Sequence, residues 1–172
     1  MSTLTHSEAL SIFEYRNGDL YWKPRLMTRN RPSTKANLKA GNKSGHGYLV
    51  ININKQKYYA HQIIFLMFHG YIPQIVDHID CDSLNNKIEN LRHATKAENA
   101  YNSKIRKDNT SGVKGLVWNK RAKLWMARIY VQKKSINLGY FKDFEEAKMC
   151  IENARNAYHA QFANHGHGHI GV

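Results

Sequence analysis

The sequence predicts an α+β fold in two parts, and three stretches of the chain carry this prediction. Residues 75–99 have the pattern of a strand, a polar loop, a second extended segment and a helix. Residues 112–141 contain three runs rich in β-branched and aromatic side chains, which predict an antiparallel meander. Residues 143–158 place apolar side chains at intervals of four, three and four, which predicts one amphipathic helix. We therefore expect a mixed domain followed by a three-stranded antiparallel sheet packed on one helix.

The charge of the chain indicates a polyanionic partner. The 172 residues carry a formal net charge of +13, and five of the thirteen acidic residues fall between Asp77 and Glu98. The remainder is therefore more basic than the total suggests, and nucleic acid is the commonest partner of such a surface. No apolar run approaches the roughly 20 residues of a membrane span, and no signal-peptide pattern is visible. We expect double-stranded DNA as the partner, no membrane, and the cytoplasm as the location.

The N-terminal half contains three further predicted elements. Residues 4–15 are expected to form a short helix, and the extended runs around Asn54 predict a β-hairpin. Residues 61–69 predict an apolar helix that ends at a glycine. Between Lys23 and Lys43 the chain carries seven basic residues and no acid. That stretch is either an arm that lies along phosphates or a solvated loop.

Polar side chains with metal and proton chemistry converge within residues 75–99. Asp77 and His78 follow an apolar strand, and Asn90 lies in the segment that returns after a polar turn. The next helix, which carries Asn99, begins with capping-box spacing. A carboxylate and an amide oxygen beside an imidazole suit a hard divalent cation and a general base.

This segment resembles the HNH nuclease motif of phage and intron homing endonucleases. Four short pieces carry the resemblance: Asp-His-Ile-Asp at 77–80, Asn-Asn at 85–86, Asn-Leu at 90–91 and Glu-Asn at 98–99. The resemblance implies a ββα-metal (His-Me finger) fold, metal-dependent cleavage of DNA, and Asp77 and Asn99 as the metal ligands. For a phage-encoded enzyme the location would be the host cytoplasm. Two protein ligands leave positions for water, as Mg²⁺ prefers; Mn²⁺ is the alternative.

Within this motif we assign the catalytic roles to two residues. His78 is the candidate general base, because a neutral imidazole accepts a proton near neutral pH. Asn90 is expected to hydrogen-bond across the loop and to fix the tautomer and orientation of His78. His61, at the start of the apolar helix, is expected to be structural rather than a ligand, and the role of His93 is open.

The two cysteines and the histidine-rich tail are assigned no chemistry. Cys81 and Cys150 form no CxxC pair, which argues against a disulfide framework and against a structural zinc site. Histidine and glycine alternate over residues 165–169, and we expect a flexible end at 165–172, with cation binding as the alternative.

The C-terminal part resembles the plant ethylene-response-factor (Apetala-two) type of DNA-binding domain. Four features carry the resemblance: a Gly-Val-basic start at 112–114, Trp125 in the second strand, Leu-Gly-Tyr-Phe at 138–141 and Glu-Glu-Ala-Lys at 145–148. Residues 120–123 replace the tighter turn of that family, so its base contacts are not transferred. Asp143 and Glu146 have the spacing of a helix start.

Alternation along the middle strand predicts which face meets DNA. Trp125, Ala127 and Ile129 share the more apolar face, which we assign to the core, and Arg128 and Tyr130 share the other, which we assign to DNA. The predicted DNA contacts are basic or aromatic residues of the motif, the linker and the sheet: Arg92, Lys96, Lys104, Arg106, Lys107, Lys114, Lys120, Arg121, Lys123, Arg128 and Tyr130. Arg92 and Lys96 either grip phosphate or lie on a solvated surface.

These predictions give a division of the chain and a leading function. The expected parts are a nuclease domain at 1–103, a basic linker at 104–111, a DNA-binding domain at 112–164 and a tail at 165–172. The leading hypothesis is an HNH endonuclease of homing type that binds an asymmetric DNA site as a monomer. The alternatives are a non-catalytic DNA-binding regulator with a decayed nuclease motif and an RNA-binding protein.

Overall fold

The computed structural model describes residues 4–24 and 35–166. The basic stretch between Lys23 and Lys43 and the tail at 165–172 therefore lie partly outside the described residues. The described part contains both helices and strands, which confirms the mixed α/β composition. It contains no helix that is both long enough and apolar enough to cross a membrane.

The chain divides into two compact units. The first runs to His78 and also contains Asp82–His93. Its elements are α1 (His6–Ile12), β1 (Phe13–Arg16), β2 (Asp19–Trp22), β3 (Asn42–Lys43), β4 (Leu49–Ile53), β5 (Gln56–Tyr59), α2 (Ala60–His69), β6 (Ile75–His78), a 3₁₀ turn (Ile88–Asn90) and β7 (Leu91–Ala94). Strands β1 and β2 form one antiparallel pair, β3, β4 and β5 form a three-stranded sheet, and β6 neighbours β7.

The first helix is shorter than the predicted 4–15. A capping box between Thr5 and Glu8 starts α1, and the helix ends at Ile12 because Phe13 is already extended. Phe13 pairs with Trp22 across the β1–β2 hairpin, and its side chain is fully buried. Burial of this large side chain in a strand outweighs the weak helical preference of a short segment.

The other two predictions for this half are confirmed. Strands β4 and β5 form the expected hairpin, and its turn residues Asn54 and Lys55 both adopt left-handed backbone conformations. Helix α2 ends at Gly70, whose φ of 81° is the left-handed conformation of a helix C-cap. On its inner face Ile63 and Ile64 are fully buried, so α2 forms part of the core against which β6 packs.

The second unit contains Ile79–Cys81 and the chain from Ala94 onward. Its elements are α3 (Lys96–Tyr101), β8 (Leu116–Asn119), β9 (Leu124–Val131), β10 (Lys134–Phe141), α4 (Phe144–His159) and a 3₁₀ turn (Ala160–Phe162). The three strands form an antiparallel sheet with β9 in the middle. Helix α4 starts at an Asp143 cap, as predicted, and buries Ala147 and Ile151 in the core of this unit.

The start of β8 differs from the predicted one. The run expected to begin at Gly112 forms a strand only from Leu116, because Gly115 has a φ of 82° and approaches the backbone of β9. A Cβ on Gly115 would lie 2.6 Å from the Arg128 carbonyl oxygen, which leaves room only for glycine. Helix α3 packs with the chain that follows it, and the division into domains at 1–103 and 112–164 with a linker at 104–111 stays a prediction.

Candidate active site and nucleic-acid surface

The end of β6 places an acid and an imidazole side by side in the interior of the first unit. Asp77 and His78 are 4% and 7% exposed, and Val76 before them belongs to the hydrophobic core. Adjacent residues of a strand point to opposite faces, so each of these polar groups needs its own partners. The surrounding elements supply them.

Asp77 is paired with an arginine from the neighbouring strand. Its Oδ2 accepts a hydrogen bond from Arg92 Nε at 2.8 Å, and both side chains are largely withdrawn from solvent. A guanidinium at this distance compensates the charge of a buried carboxylate. Arg92 thus lies against the predicted metal ligand, and its predicted contact with DNA stays a prediction.

His78 is held by an asparagine that sequence reasoning had not assigned. Its Nε2 lies 2.9 Å from Asn86 Oδ1, and Asn86 is 1% exposed. With Asn86 Oδ1 as the acceptor, Nε2 is the donor, and in a neutral imidazole this leaves the lone pair on Nδ1. The Asn-Asn pair at 85–86 was part of the recognised pattern, and this was the available signal.

Asn90 lies in the returning segment, as predicted, and bridges the loop. Its Nδ2 donates to the carbonyl of Asn85 at 2.7 Å, and the residue is buried. This bond stabilises the backbone next to Asn86, which in turn contacts His78. A direct role of Asn90 in orienting His78 stays a prediction.

His61 and two tyrosines surround the imidazole of His78. The His61 ring meets the His78 ring edge-on at 5.0 Å between centroids and stacks on Tyr59 at 5.4 Å. Tyr48 lies near both histidines, at 5.4 Å from His61 and 6.2 Å from His78. Burial, and secondarily the neighbouring His78, lowers the pKa of His61 to about 3. The His61 ring is therefore uncharged at physiological pH.

The second predicted metal ligand lies in the other unit. Asn99 is exposed on α3, whose start has the predicted capping box between Thr95 and Glu98. The structure therefore shows where Asp77 and Asn99 lie within their own units, and a cation shared by them stays a prediction.

The chemistry of these donors fits a hard cation. Carboxylate and amide oxygens are ligands that Mg²⁺ accepts while it keeps several waters. Within residues 4–24 and 35–166 no group of three or more His, Cys, Asp or Glu side chains is placed so that it could hold a metal ion. A site built from Asp77 and Asn99 would thus rely on water and phosphate for its remaining ligands.

The sheet of the second unit exposes the predicted face. Ala127 and Ile129 are buried under α4, whereas Arg128 is exposed and Tyr130 is 56% exposed. Tyr140 is also exposed and belongs to this outer face, because it is paired with Met126 of β9. A sheet face that exposes a basic side chain together with aromatic rings is suited to contact bases and phosphates.

The remaining predicted DNA contacts divide into exposed residues and one exception. The exposed residues are Lys96, Lys104, Arg106, Lys107, Lys120, Arg121 and Lys123. Lys114 is half-buried, and its Nζ donates to the carbonyls of Tyr101 and Ser103 at 2.8 and 2.7 Å. Burial, together with the nearby Arg155, lowers the pKa of Lys114 to about 8. Lys114 therefore ties backbone segments together rather than lying on the surface.

Comparisons with known proteins agree with part of this picture. The profile of the HNH endonuclease family matches residues 58–101, the segment that contains His61, Asp77, His78, Asn90 and Asn99. Protein 3.8 of Escherichia phage T7 is 39% identical over 97 residues, which cover 55% of this chain and 79% of the phage protein. No solved structure matches the chain. The resemblance of residues 112–164 to the ethylene-response-factor domain stays a prediction.

The buried His61 predicts how stability depends on pH. Its folded pKa lies below the ordinary value of 6.5, so the unfolded chain binds more protons and stability falls as the pH drops below about 6.5. Between pH 7 and pH 5 this group should lower the free energy of unfolding by on the order of 2 kcal/mol. Urea unfolding at both pH values should show that the free energy of unfolding falls less in His61→Gln than in the unmodified chain. His46→Gln changes an exposed histidine and should leave the fall unchanged; an equal fall in His61→Gln would contradict the assignment.

Proposed function

This chain belongs to the family of Protein 3.8 of Escherichia phage T7 and contains an HNH endonuclease domain at residues 58–101, and we propose that it is a metal-dependent DNA endonuclease of homing type. The observation that carries the proposal is the pair of buried polar residues at the end of β6. Asp77 and His78 lie inside the HNH segment, and each is held by a polar partner at hydrogen-bond distance. A buried carboxylate next to a buried imidazole, both inside the segment that matches a nuclease family, supports an active site at this position.

The proposed cation site consists of Asp77 and Asn99 on a ββα-metal arrangement of β6, β7 and α3. The order of these elements along the chain and the hard-oxygen character of both side chains support it. Mg²⁺ is the proposed metal, and Mn²⁺ is the expected substitute. When bound, the cation would stabilise the negative charge that develops on the phosphate and on the leaving oxygen.

His78 is the proposed general base. Because Asn86 Oδ1 accepts from Nε2, the lone pair on Nδ1 is the one that would take a proton from the attacking water. The water oxygen would then bond to phosphorus as the P–O bond to the leaving sugar oxygen breaks, and that oxygen would take a proton from solvent water. The neutral His61 adds no positive charge beside the His78 ring.

The second unit is proposed to read the DNA sequence. Its outer sheet face presents Arg128 and Tyr130, and exposed basic residues flank that face. We propose that this face enters the major groove of double-stranded DNA, that the chain acts as a monomer on an asymmetric site, and that it does so in the host cytoplasm. The phage relative supports the last point.

One observation favours the alternative of a non-catalytic DNA-binding regulator. Arg92 Nε already donates to Asp77 Oδ2, and a cation on the same oxygen would compete with it. A plasmid-nicking assay with and without Mg²⁺ or Mn²⁺ separates the two functions, because only the nuclease converts supercoiled plasmid in a metal-dependent way.

Removal of the proposed base should block cleavage without blocking binding. Replacing His78 by alanine should slow plasmid cleavage in Mg²⁺ by at least about 100-fold, since general bases contribute about 10²–10⁴. DNA binding measured by gel shift in EDTA should remain. His93→Ala is the matched control, because His93 is an exposed histidine of β7 and should retain activity. Unchanged cleavage by His78→Ala would remove His78 as the base.

Removal of the proposed sequence-reading arginine should affect discrimination more than chemistry. In Arg128→Ala the preference among cleavage sites in a DNA library, measured by run-off sequencing, should weaken by about 10-fold, because one good base contact discriminates by about 1–3 kcal/mol. Arg121→Ala, an exposed arginine of the β8–β9 turn, should weaken binding alike at all sites. A site preference in Arg128→Ala equal to that of the unmodified chain would refute the assignment.

A further inference from the structure

Helix α3 is too small to hold its own orientation. It has six residues, and none of them is buried. Isolated helices shorter than about 12–15 residues are marginal in water, so a helix of this length depends on its surroundings. The capping box fixes only its first turn. The contacts at its C-terminal end therefore decide how Asn99 is presented.

The last residue of the helix, Tyr101, is held by three other segments of the second unit. Its ring stacks on His159 at 3.8 Å between centroids with an interplanar angle of 4°. Its hydroxyl accepts from the backbone N–H of Gln132 at 2.9 Å, and its carbonyl accepts from Lys114 Nζ at 2.8 Å. These partners come from α4, the β9–β10 turn and the segment before β8.

The next residue, Asn102, lies in a buried polar cluster. Asn102 and Asn164 are 1% and 2% exposed, and Asn164 Nδ2 donates to the carbonyl and to Oδ1 of Asn102 at 2.8 and 3.1 Å. Cys81 Sγ donates to the same carbonyl at 2.8 Å, and Asn164 Oδ1 accepts from the N–H of Gly166. We call Asn102, Asn164 and Cys81 the asparagine node.

The node connects two places in the sequence that matter for the proposed chemistry. Cys81 follows His78 by three residues, and Asn102 follows Asn99 by three residues. Asn164 is 62 positions further along, beyond α4. A residue near the C-terminal end of the described chain thus holds both the segment after the Asp-His pair and the helix that carries Asn99.

We propose that the asparagine node and the Tyr101–His159 stack are a positioning device that sets Asn99 for cation binding; this rests on the proposed function. In this arrangement the second unit does more than read the DNA sequence. It supplies the anchor that a six-residue helix lacks, and Asn164 is a positioning residue. Mutation of residues that orient metal ligands typically lowers metal affinity by about 10–100-fold. Loss of the anchor should therefore raise the metal concentration that cleavage needs.

The test compares Asn164→Ala with Asn153→Ala, an exposed asparagine on α4 of the same unit. Hydrogen–deuterium exchange of the peptide over residues 95–102 should rise in Asn164→Ala and not in Asn153→Ala. The Mn²⁺ concentration that gives half-maximal plasmid cleavage should rise about 10-fold in Asn164→Ala, while cleavage at saturating Mn²⁺ and DNA binding in EDTA are retained. Tyr101→Phe, which keeps the ring stack, should behave more nearly like the unmodified chain than Tyr101→Ala.

The outcomes separate the two claims. If the unmodified chain cleaves DNA and Asn164→Ala shows unchanged exchange and an unchanged Mn²⁺ requirement, the positioning role is overturned and the proposed function is kept. If Asn164→Ala loses cleavage at all Mn²⁺ concentrations although circular dichroism shows it folded, positioning of the cation is also overturned. If the unmodified chain cleaves no DNA in any metal, the proposed function itself fails, and the proposal built on it is overturned with it.

Discussion

The burial of two polar side chains at the end of β6 is the constraint around which the first unit is organised. Asp77 and His78 are almost fully withdrawn from water, and a buried charge or imidazole is tolerated only when it is hydrogen-bonded. Arg92 and Asn86 meet that demand at 2.8 and 2.9 Å. Among the described residues Asn86 Nδ2 has no hydrogen-bond partner, a desolvation cost of about 1–3 kcal/mol. The cost thus falls on the residue that holds the His78 imidazole.

Short sequence patterns correctly predicted those features that depend on neighbouring residues. The Thr95–Glu98 capping box, the Asp143 cap and the glycine end of α2 appear as predicted, because each is a hydrogen bond or a backbone conformation set by neighbouring residues. The burial of Ile129 and the exposure of Arg128 followed from alternation along a strand. The helix predicted for 4–15 was too long, because pairing of β1 with β2 is a contact that local propensity does not reveal.

The environments of individual site residues were harder to predict. Arg92 and Lys114 were predicted to contact DNA because both are basic, but the basic character did not reveal that Arg92 pairs with Asp77 and that Lys114 donates to two backbone carbonyls. Asn86 was part of the recognised motif, but its contact with His78 depends on how the loop folds. The motif residues can thus be identified from the sequence, whereas their hydrogen-bond partners depend on tertiary structure.

The central claim is that Asp77 and Asn99 hold one divalent cation next to DNA. Mn²⁺ titration followed by electron paramagnetic resonance tests it most directly, with duplex DNA bound to a His78→Ala chain so that the DNA stays intact, and with DNA alone as the background. The account predicts one bound Mn²⁺ per chain, whose affinity falls at least about 10-fold when either Asp77→Asn or Asn99→Ala is added. The same Mn²⁺ affinity in both variants would contradict it.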